Sequence, residues 1–107
     1  MHRPTADADV FRAIADPTRR AILGRLREGP APVNTLAAAF AQSRPSISKH
    51  LKILHSAGVV SEQRAGRQRI FRIEPEALRQ VDTWIGDYRG LWQNNLNRLK
   101  HYLEAEQ

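Results

Sequence analysis

The last third of the chain carries a helical pattern that is too long to fit inside a globule of this size. Between residues 75 and 104, apolar residues recur at intervals of three and four positions, which is the period of a helix. Such a helix would extend roughly 45 Å, whereas a globule of 107 residues has a diameter of roughly 34 Å. A continuous helix must therefore project beyond the domain, and its apolar side needs a cover.

A second copy of this chain is the cover that we expect. The predicted interface on the last helix comprises Leu78, Val81, Trp84, Ile85, Tyr88, Trp92, Leu96, Leu99 and Leu103. The core of a monomer is the alternative use of the same residues. Gly86 and Gly90 each cost about 1 kcal/mol relative to alanine inside a helix, so the sequence is compatible with a bend near residues 86–90. Their spacing also occurs where two helices cross closely.

Positive charge is concentrated in one segment of the chain. The 17 Lys and Arg residues against 11 Asp and Glu residues give a net charge of +6. Residues 43–72 contain seven of the cations and one acid, Glu62, so this segment alone accounts for the whole net charge. Double-stranded DNA is the kind of polyanion that such a field attracts and holds. A solvated basic face is the alternative.

The composition argues against several other classes of protein. We expect one domain spanning residues 1–107. The absence of cysteine excludes disulfides and thiolate metal sites. No apolar run approaches the roughly 18 residues of a membrane span, so we expect a cytoplasmic protein with no membrane partner. No paired carboxylates, Ser/His/Asp arrangement or glycine-rich phosphate loop indicates an enzyme.

Residues 43–54 have the features of a helix with one buried and one exposed face. Ser43 is a good N-cap, and Pro45 suits the first turn because it has no N–H to leave unpaired. At roughly 100° per residue, the apolar residues that fall on one side are Ile47, Leu51 and Leu54. The other side carries Pro45, Ser46, Ser48, Lys49 and Lys52. A face with cations and hydroxyls but no acid suits the DNA major groove.

The surrounding elements predict a mainly α-helical fold with a small β-hairpin. Helices are expected at residues 10–14, 17–28 and 34–41, and the last of these precedes residues 43–54 closely enough to form a helix-turn-helix. Strands at 59–64 and 69–73 enclose a basic turn and form a hairpin. The predicted order is α-α-α-α-β-β-α, a winged helix-turn-helix with a long C-terminal dimerisation helix. An ordinary surface hairpin is the alternative to a wing that contacts DNA.

Four stretches of the chain form a specific combination: ADPTRR at residues 15–20, SRPSISKHLKIL at 43–54, SAGVV at 56–60 and the hairpin at 64–73. Together they resemble the ArsR/SmtB family of winged helix-turn-helix transcriptional regulators. The resemblance implies a dimer that places two recognition helices in successive major grooves. Because the first and last helices form the interface in that family, Val10 and Phe11 join the predicted dimer residues.

The resemblance also implies the site residues by their position. The base-reading positions on the recognition helix are Arg44, Pro45, Ser48 and Lys49. Ser43, Ser46 and His50 complete the part of the predicted site on this helix. Lys52 and the wing residues Arg64, Arg67 and Arg69 are better suited to phosphate, which fixes register without reading sequence. His50 lies on the shoulder of the apolar face, so a hydrogen bond within the protein is an alternative to DNA contact.

The metal sites of that family are not matched here. Its thiolate sites use cysteines on the third helix, and residues 33–39 contain none. Its other site reads D-x-H followed by H-x-x-E on the last helix. His101 and Glu104 match the second half, but upstream Asp87 is followed by Arg89 in place of the first histidine, and an arginine does not ligate a cation. We therefore expect no metal and no cofactor, and the effector stays unassigned.

These features predict a sequence-specific DNA-binding transcriptional regulator, most simply a dimeric repressor that binds an inverted-repeat operator. The alternative is a winged-helix module for protein interaction without specific DNA binding, because a fold alone does not determine function.

Overall fold

The structure is a computed structural model that describes residues 9–106. The helices are α1 (Val10–Ala13), α2 (Pro17–Leu26), α3 (Val33–Ala38), α4 (Arg44–Ser56) and α5 (Pro75–Ala105). The strands are β1 (Ala31–Pro32), β2 (Val60–Ala65) and β3 (Gln68–Ile73). The fold is therefore mainly helical, with a helix-turn-helix formed by α3 and α4 and a wing formed by β2 and β3. This confirms the predicted fold class.

The small sheet has three strands, one more than the sequence predicted. β3 lies in the middle and pairs with both β1 and β2 in antiparallel fashion. In β1, Ala31 pairs with Phe71 and Pro32 pairs with Ile70. Two residues are too few to show an alternating pattern, and proline cannot donate to a ladder. The predicted order α-α-α-α-β-β-α is wrong at this point because tertiary proximity, not local sequence, creates β1.

α2 and α4 each begin at a side-chain cap, and the cap of α4, Ser43, is the one predicted above. The carboxylate of Asp16 accepts a hydrogen bond from the backbone N–H of Arg19 at 3.0 Å. The hydroxyl of Ser43 accepts one from the backbone N–H of Ser46 at 3.3 Å. After α4, Gly58 has a φ of 77°, the left-handed conformation that ends many helices. Both ends of α4 are therefore defined by local chemistry.

The hydrophobic core packs around the inner face of α4. It is formed by Val10, Ala13, Ile22, Leu23, Leu26, Ala31, Val33, Leu36, Ile47, Leu51, Leu54, Ala57, Val59, Val60 and Phe71. The three α4 residues predicted to face inward are at most 1% exposed. Val10 is only 2% exposed, so its assignment to the dimer surface is corrected. Its side chain packs inside the protomer because α1 docks on the domain through this residue and Ala13.

α5 is continuous from Pro75 to Ala105, so neither Gly86 nor Gly90 breaks it. Only its first part touches the domain, where Leu78 and Val81 pack against the core. The described chain measures 65 × 41 × 21 Å and has a radius of gyration of 18.8 Å, against about 13 Å for a compact chain of similar length. The projecting helix is as predicted. No helix in residues 9–106 is both long and apolar enough to cross a membrane.

Candidate DNA-binding surface

The outer face of α4 presents the side chains that the sequence predicted for base contact. Pro45, Lys49 and Lys52 are exposed, and Ser46 and Ser48 are half-buried on the flanks of this face. Ammonium groups can donate to guanine O6 and N7, while hydroxyls can donate or accept. The buried inner face of the same helix holds these groups in a constant arrangement.

Arg44 is tied to the neighbouring helix at the start of α4. Its Nε donates to Oδ1 of Asn34 on α3 at 2.6 Å. A guanidinium group has five N–H donors, so four remain available to a base or a phosphate. Asn34 was not predicted as part of the site, since a partner ten positions away in sequence leaves no local signal.

The wing turns at Gly66 and Arg67. Gly66 has a φ of 64°, which suits glycine in a tight hairpin turn, and Arg67 is exposed at the tip. Arg64 and Arg69 face each other directly across the hairpin. Like charges at such paired positions destabilise a hairpin, so this arrangement calls for a compensating acid.

Glu62 supplies that acid. Nε and Nη2 of Arg69 donate to the two carboxylate oxygens of Glu62 at 2.5 Å and 3.2 Å. The Arg69 guanidinium also lies over the ring of Phe71, 5.4 Å from its centroid. The hydrogen bond from Arg69 lowers the pKa of Glu62 and raises the pKa of Arg69. Arg69, predicted as a phosphate contact, is therefore already paired, and the sequence had given Glu62 no role in the site.

A groove of about 500 Å³ lies between α4 and the wing. It is lined by Pro45, Ser48, Lys49, Lys52, His55, Glu62, Arg69 and Phe71. Glu62 is the one acid in this lining, while two lysines lie on the α4 side. The groove joins the outer face of α4 and the wing into a single, mostly cationic surface.

His50 takes part in a contact within the protein. Its Nδ1 lies 3.2 Å from Nη1 of Arg19 and 3.8 Å from Oδ2 of Asp16. Arg19 also donates to the carbonyl oxygens of Ala13 and Arg12 at 2.6 Å and 3.3 Å. Of the two roles considered for His50, DNA contact and a hydrogen bond within the protein, the structure contains the hydrogen bond. Because Arg19 can only donate, the Nδ1 atom is assigned as the acceptor.

The apolar side of α5 is uncovered in the protomer. This α5 stripe consists of Trp84, Ile85, Tyr88, Leu91, Trp92, Leu96, Leu99, Tyr102 and Leu103, which are between 41% and 75% exposed. Phe11 of α1 extends it, because its ring meets that of Trp84 edge-on at a centroid distance of 5.8 Å. Tyr102 was not predicted, although it lies three positions after Leu99 on the same helix.

The residues considered for a metal lie exposed along α5. Arg89, which replaces the first histidine of the metal pattern, donates to Asp82 at 2.6 Å. Asp87, His101 and Glu104 are exposed. Across residues 9–106, no three side chains of the ligand types His, Cys, Asp and Glu come together in a group that could hold a metal ion.

Comparison with known proteins agrees with this architecture. Residues 14–63 match a family model described as a helix-turn-helix domain. The chain is 38% identical to the transcriptional repressor SdpR of Bacillus subtilis over 88 residues, covering 82% of this chain and 98% of that protein. A crystal structure of an ArsR family transcriptional regulator shares 43% identity, with a TM-score of 0.70 and coverage of 78% of this chain and 91% of that one.

A further solved structure matches the same winged architecture. It is a solution structure of a homodimeric winged helix-turn-helix DNA-binding domain from Mycobacterium bovis, a possible ArsR-family regulator. That domain is 26% identical, with a TM-score of 0.63 and coverage of 78% of this chain and 79% of that one. The structure combines a helix-turn-helix with a wing and a projecting terminal helix, and the relatives named above are regulators of the same architecture. The chain therefore belongs to the ArsR family of winged helix-turn-helix transcriptional regulators.

Proposed function

We propose that this regulator is a dimeric repressor that binds an inverted-repeat operator. The observation that carries the proposal is the outer face of α4, where Lys49 and Lys52 stand beside two serine hydroxyls and no acid. An α-helix of this kind fits the major groove of B-DNA. Bound at a promoter in the cytoplasm, such a protein competes with RNA polymerase.

The two parts of the surface have different roles in this proposal. Arg44, Pro45, Ser48 and Lys49 read bases, with Ser43 and Ser46 beside them. Lys52, Arg64 and Arg67 bind phosphates and so fix the position of the protein on DNA without reading its sequence. Arg69 and His50 have a lesser direct role, since each is engaged by a partner within the protein.

Pairing of two copies of the chain would explain the two-fold symmetry of the proposed operator. The α5 stripe has no cover within the protomer, and a similar winged domain from Mycobacterium bovis is described as homodimeric. A two-fold dimer reads a two-fold site. We therefore expect half-sites whose centres are about one helical turn, roughly 34 Å, or a multiple of it apart. SdpR, a similar protein, is named a repressor.

Selection of bound sequences from random duplexes, followed by footprinting, tests the proposal. We expect an inverted repeat to be enriched and both half-sites to be protected. Protection of one unpaired half-site would contradict the two-fold arrangement. If no duplex is bound in a salt-sensitive way, DNA binding itself is wrong, and the winged-helix module for protein interaction becomes the better reading.

The variant Lys49→Ala sharpens the same experiment. If Lys49 reads a base, its loss costs about 1–3 kcal/mol on the selected operator and relaxes the preference at one base position. Lys100→Ala is the matched control, because Lys100 is an exposed lysine on α5 and does not belong to the proposed DNA-binding surface. An equal loss of affinity for operator and random duplex would make Lys49 a phosphate contact instead.

A further inference from the structure

We propose that Glu62 is a specificity-determining residue that holds Arg69 away from the phosphate backbone and thereby limits binding to DNA of unrelated sequence. The inference rests on the proposed function, since it assigns a role within the same DNA-binding surface. It predicts that, of the three wing arginines assigned to the DNA-binding surface, only Arg64 and Arg67 contact phosphate.

The position of Glu62 is unusual for an acid. It is the one acid among residues 43–72, the segment that carries the net positive charge. Its side chain lines the groove between α4 and the wing, opposite Lys49 and Lys52. In a surface that meets a polyanion, a carboxylate at this place repels any phosphate that approaches the groove. Selection for tight binding alone would favour a neutral residue.

The strand register explains why Glu62 meets Arg69 and not the wing tip. Glu62 is paired directly with Phe71, and Arg64 is paired with Arg69. Paired residues point to the same side of a hairpin, and residues two apart on one strand also share a side. Glu62, Arg64, Arg69 and Phe71 therefore lie on one side of the wing, with Glu62 diagonal to Arg69.

The Arg69 side chain is fixed in this arrangement by two kinds of contact. Two parallel hydrogen bonds to a carboxylate form the fork that is among the strongest of charged pairs. The flat guanidinium also rests over the Phe71 ring, which is itself only 1% exposed and cannot move aside. Glu62 holds the Nε and Nη2 edge of Arg69, so a phosphate is left with the remaining Nη donors, and the carboxylate beside them repels it.

The salt dependence of binding to random duplex counts phosphate contacts and thus tests the inference. For B-DNA the slope of log K against log salt changes by about 0.9 for each contact. We compare the wild-type dimer with Glu62→Gln, Arg67→Gln and Arg69→Gln, which all replace a charge by the same neutral amide. Each variant is also measured on the selected operator, and its thermal unfolding is recorded.

Three results are expected. Arg67→Gln makes the slope shallower by about 1.8, because one contact worth about 0.9 is lost from each of the two wings of the dimer. Arg69→Gln leaves the slope unchanged, because that charge is already neutralised by Glu62. Glu62→Gln makes the slope steeper by about 1.8, because Arg69 is released to a phosphate in both protomers. Between 200 mM and 50 mM salt, this variant then gains about 12-fold more affinity for random duplex than the wild type does, and its ratio of operator to random binding falls.

Two results would overturn the inference. One is a slope for Arg69→Gln that falls as far as that for Arg67→Gln, which would make Arg69 a phosphate contact despite Glu62. The other is a Glu62→Gln slope equal to that of the wild type. The double variant Glu62→Gln with Arg69→Gln keeps the wild-type net charge and is expected to restore the wild-type slope. If wild-type protein shows no salt-sensitive binding at all, the proposed function fails rather than this inference.

Discussion

Arg19 joins three helices through one guanidinium group. Its side chain donates to two carbonyl oxygens at the end of α1, and the same group reaches His50 on the recognition helix. Its backbone N–H is bound by the cap residue Asp16. Arg19 therefore fixes the recognition helix relative to α1, which also carries Phe11, the residue that extends the α5 stripe.

Asp16 makes the stability of this junction depend on pH. The backbone hydrogen bond from Arg19, aided by the positive charge of the Arg19 guanidinium, holds the pKa of Asp16 below its ordinary value of 3.8. Near that pH the unfolded chain binds a proton that the folded protein does not bind. Folding is therefore favoured at neutral pH, and this contribution is lost as the pH falls through 3.8 towards the lower folded pKa.

Asp16→Asn isolates that effect, because asparagine is also a good N-cap but has no charge. We expect the variant to be less stable than the wild type in urea denaturation at pH 7, and the difference to vanish as the pH is lowered below 3.8. Asp16→Ala also removes the cap, so it should be about 1 kcal/mol less stable than Asp16→Asn at every pH. A difference between Asp16→Asn and wild type that stays constant down to pH 3 would contradict this account.

At the scale of the elements, what the sequence predicted well is what local chemistry determines. The cap at Ser43 and the buried side of α4 both follow from residues a few positions apart. β1 could not be predicted, because a two-residue strand exists only through its pairing with β3. The pairing of Arg69 with Glu62 likewise depends on a register that the sequence does not show.

Gly86 and Gly90 illustrate the limit of a spacing argument. At roughly 100° per residue, Gly90 lies about 160° around the helix from both Tyr88 and Trp92, so it faces away from the α5 stripe. Apart from its neighbours and the nearby backbone of its own helix, a methyl group added at Gly90 would meet no atom within 4 Å, and one added at Gly86 would make an ordinary contact with Arg89. The glycines are therefore not at the surface that is proposed to pair two copies.

Gly90→Ala should accordingly stabilise the protein. Alanine is favoured over glycine inside a helix by about 1 kcal/mol, and we expect a gain of about 0.5–1 kcal/mol in urea denaturation at fixed protein concentration. Gly66→Ala is the contrasting variant. It should lose stability, because its φ of 64° is strained for any residue with a Cβ atom. A Gly90→Ala protein with weakened self-association would show that a partner packs on the glycine side after all.

At the scale of the whole molecule, charge and apolar surface are separated. The segment that carries the net positive charge contains α4 and the wing, whereas the α5 stripe lies on a helix that projects from the domain. A monomeric core for this stripe, which the sequence left open, is not what the structure has, since Trp84 and the apolar residues after it stay exposed. The proposed surface for DNA and the proposed surface for a second copy therefore lie on different parts of the molecule.

Leu96→Glu tests whether the α5 stripe pairs two copies of the chain. Leu96 is 55% exposed in the protomer, so a charge there leaves the domain core intact, and circular dichroism should show the fold unchanged. In a dimer paired through the α5 stripe, the same carboxylate would be buried without a partner, which is strongly unfavourable. We expect sedimentation equilibrium to show monomers and operator affinity to fall at least 100-fold, while weak binding to random duplex persists.

Asn97→Glu is the matched control for Leu96→Glu. It adds the same charge one position along α5, about 160° around the helix from Leu99 and so away from the stripe. The protein should remain a dimer and keep its affinity for the operator, apart from the small repulsion of one more exposed acid. If Leu96→Glu behaves like Asn97→Glu, the stripe does not pair two copies. The two-fold operator would then lose its structural basis, although the base and phosphate contacts proposed for each protomer would stand.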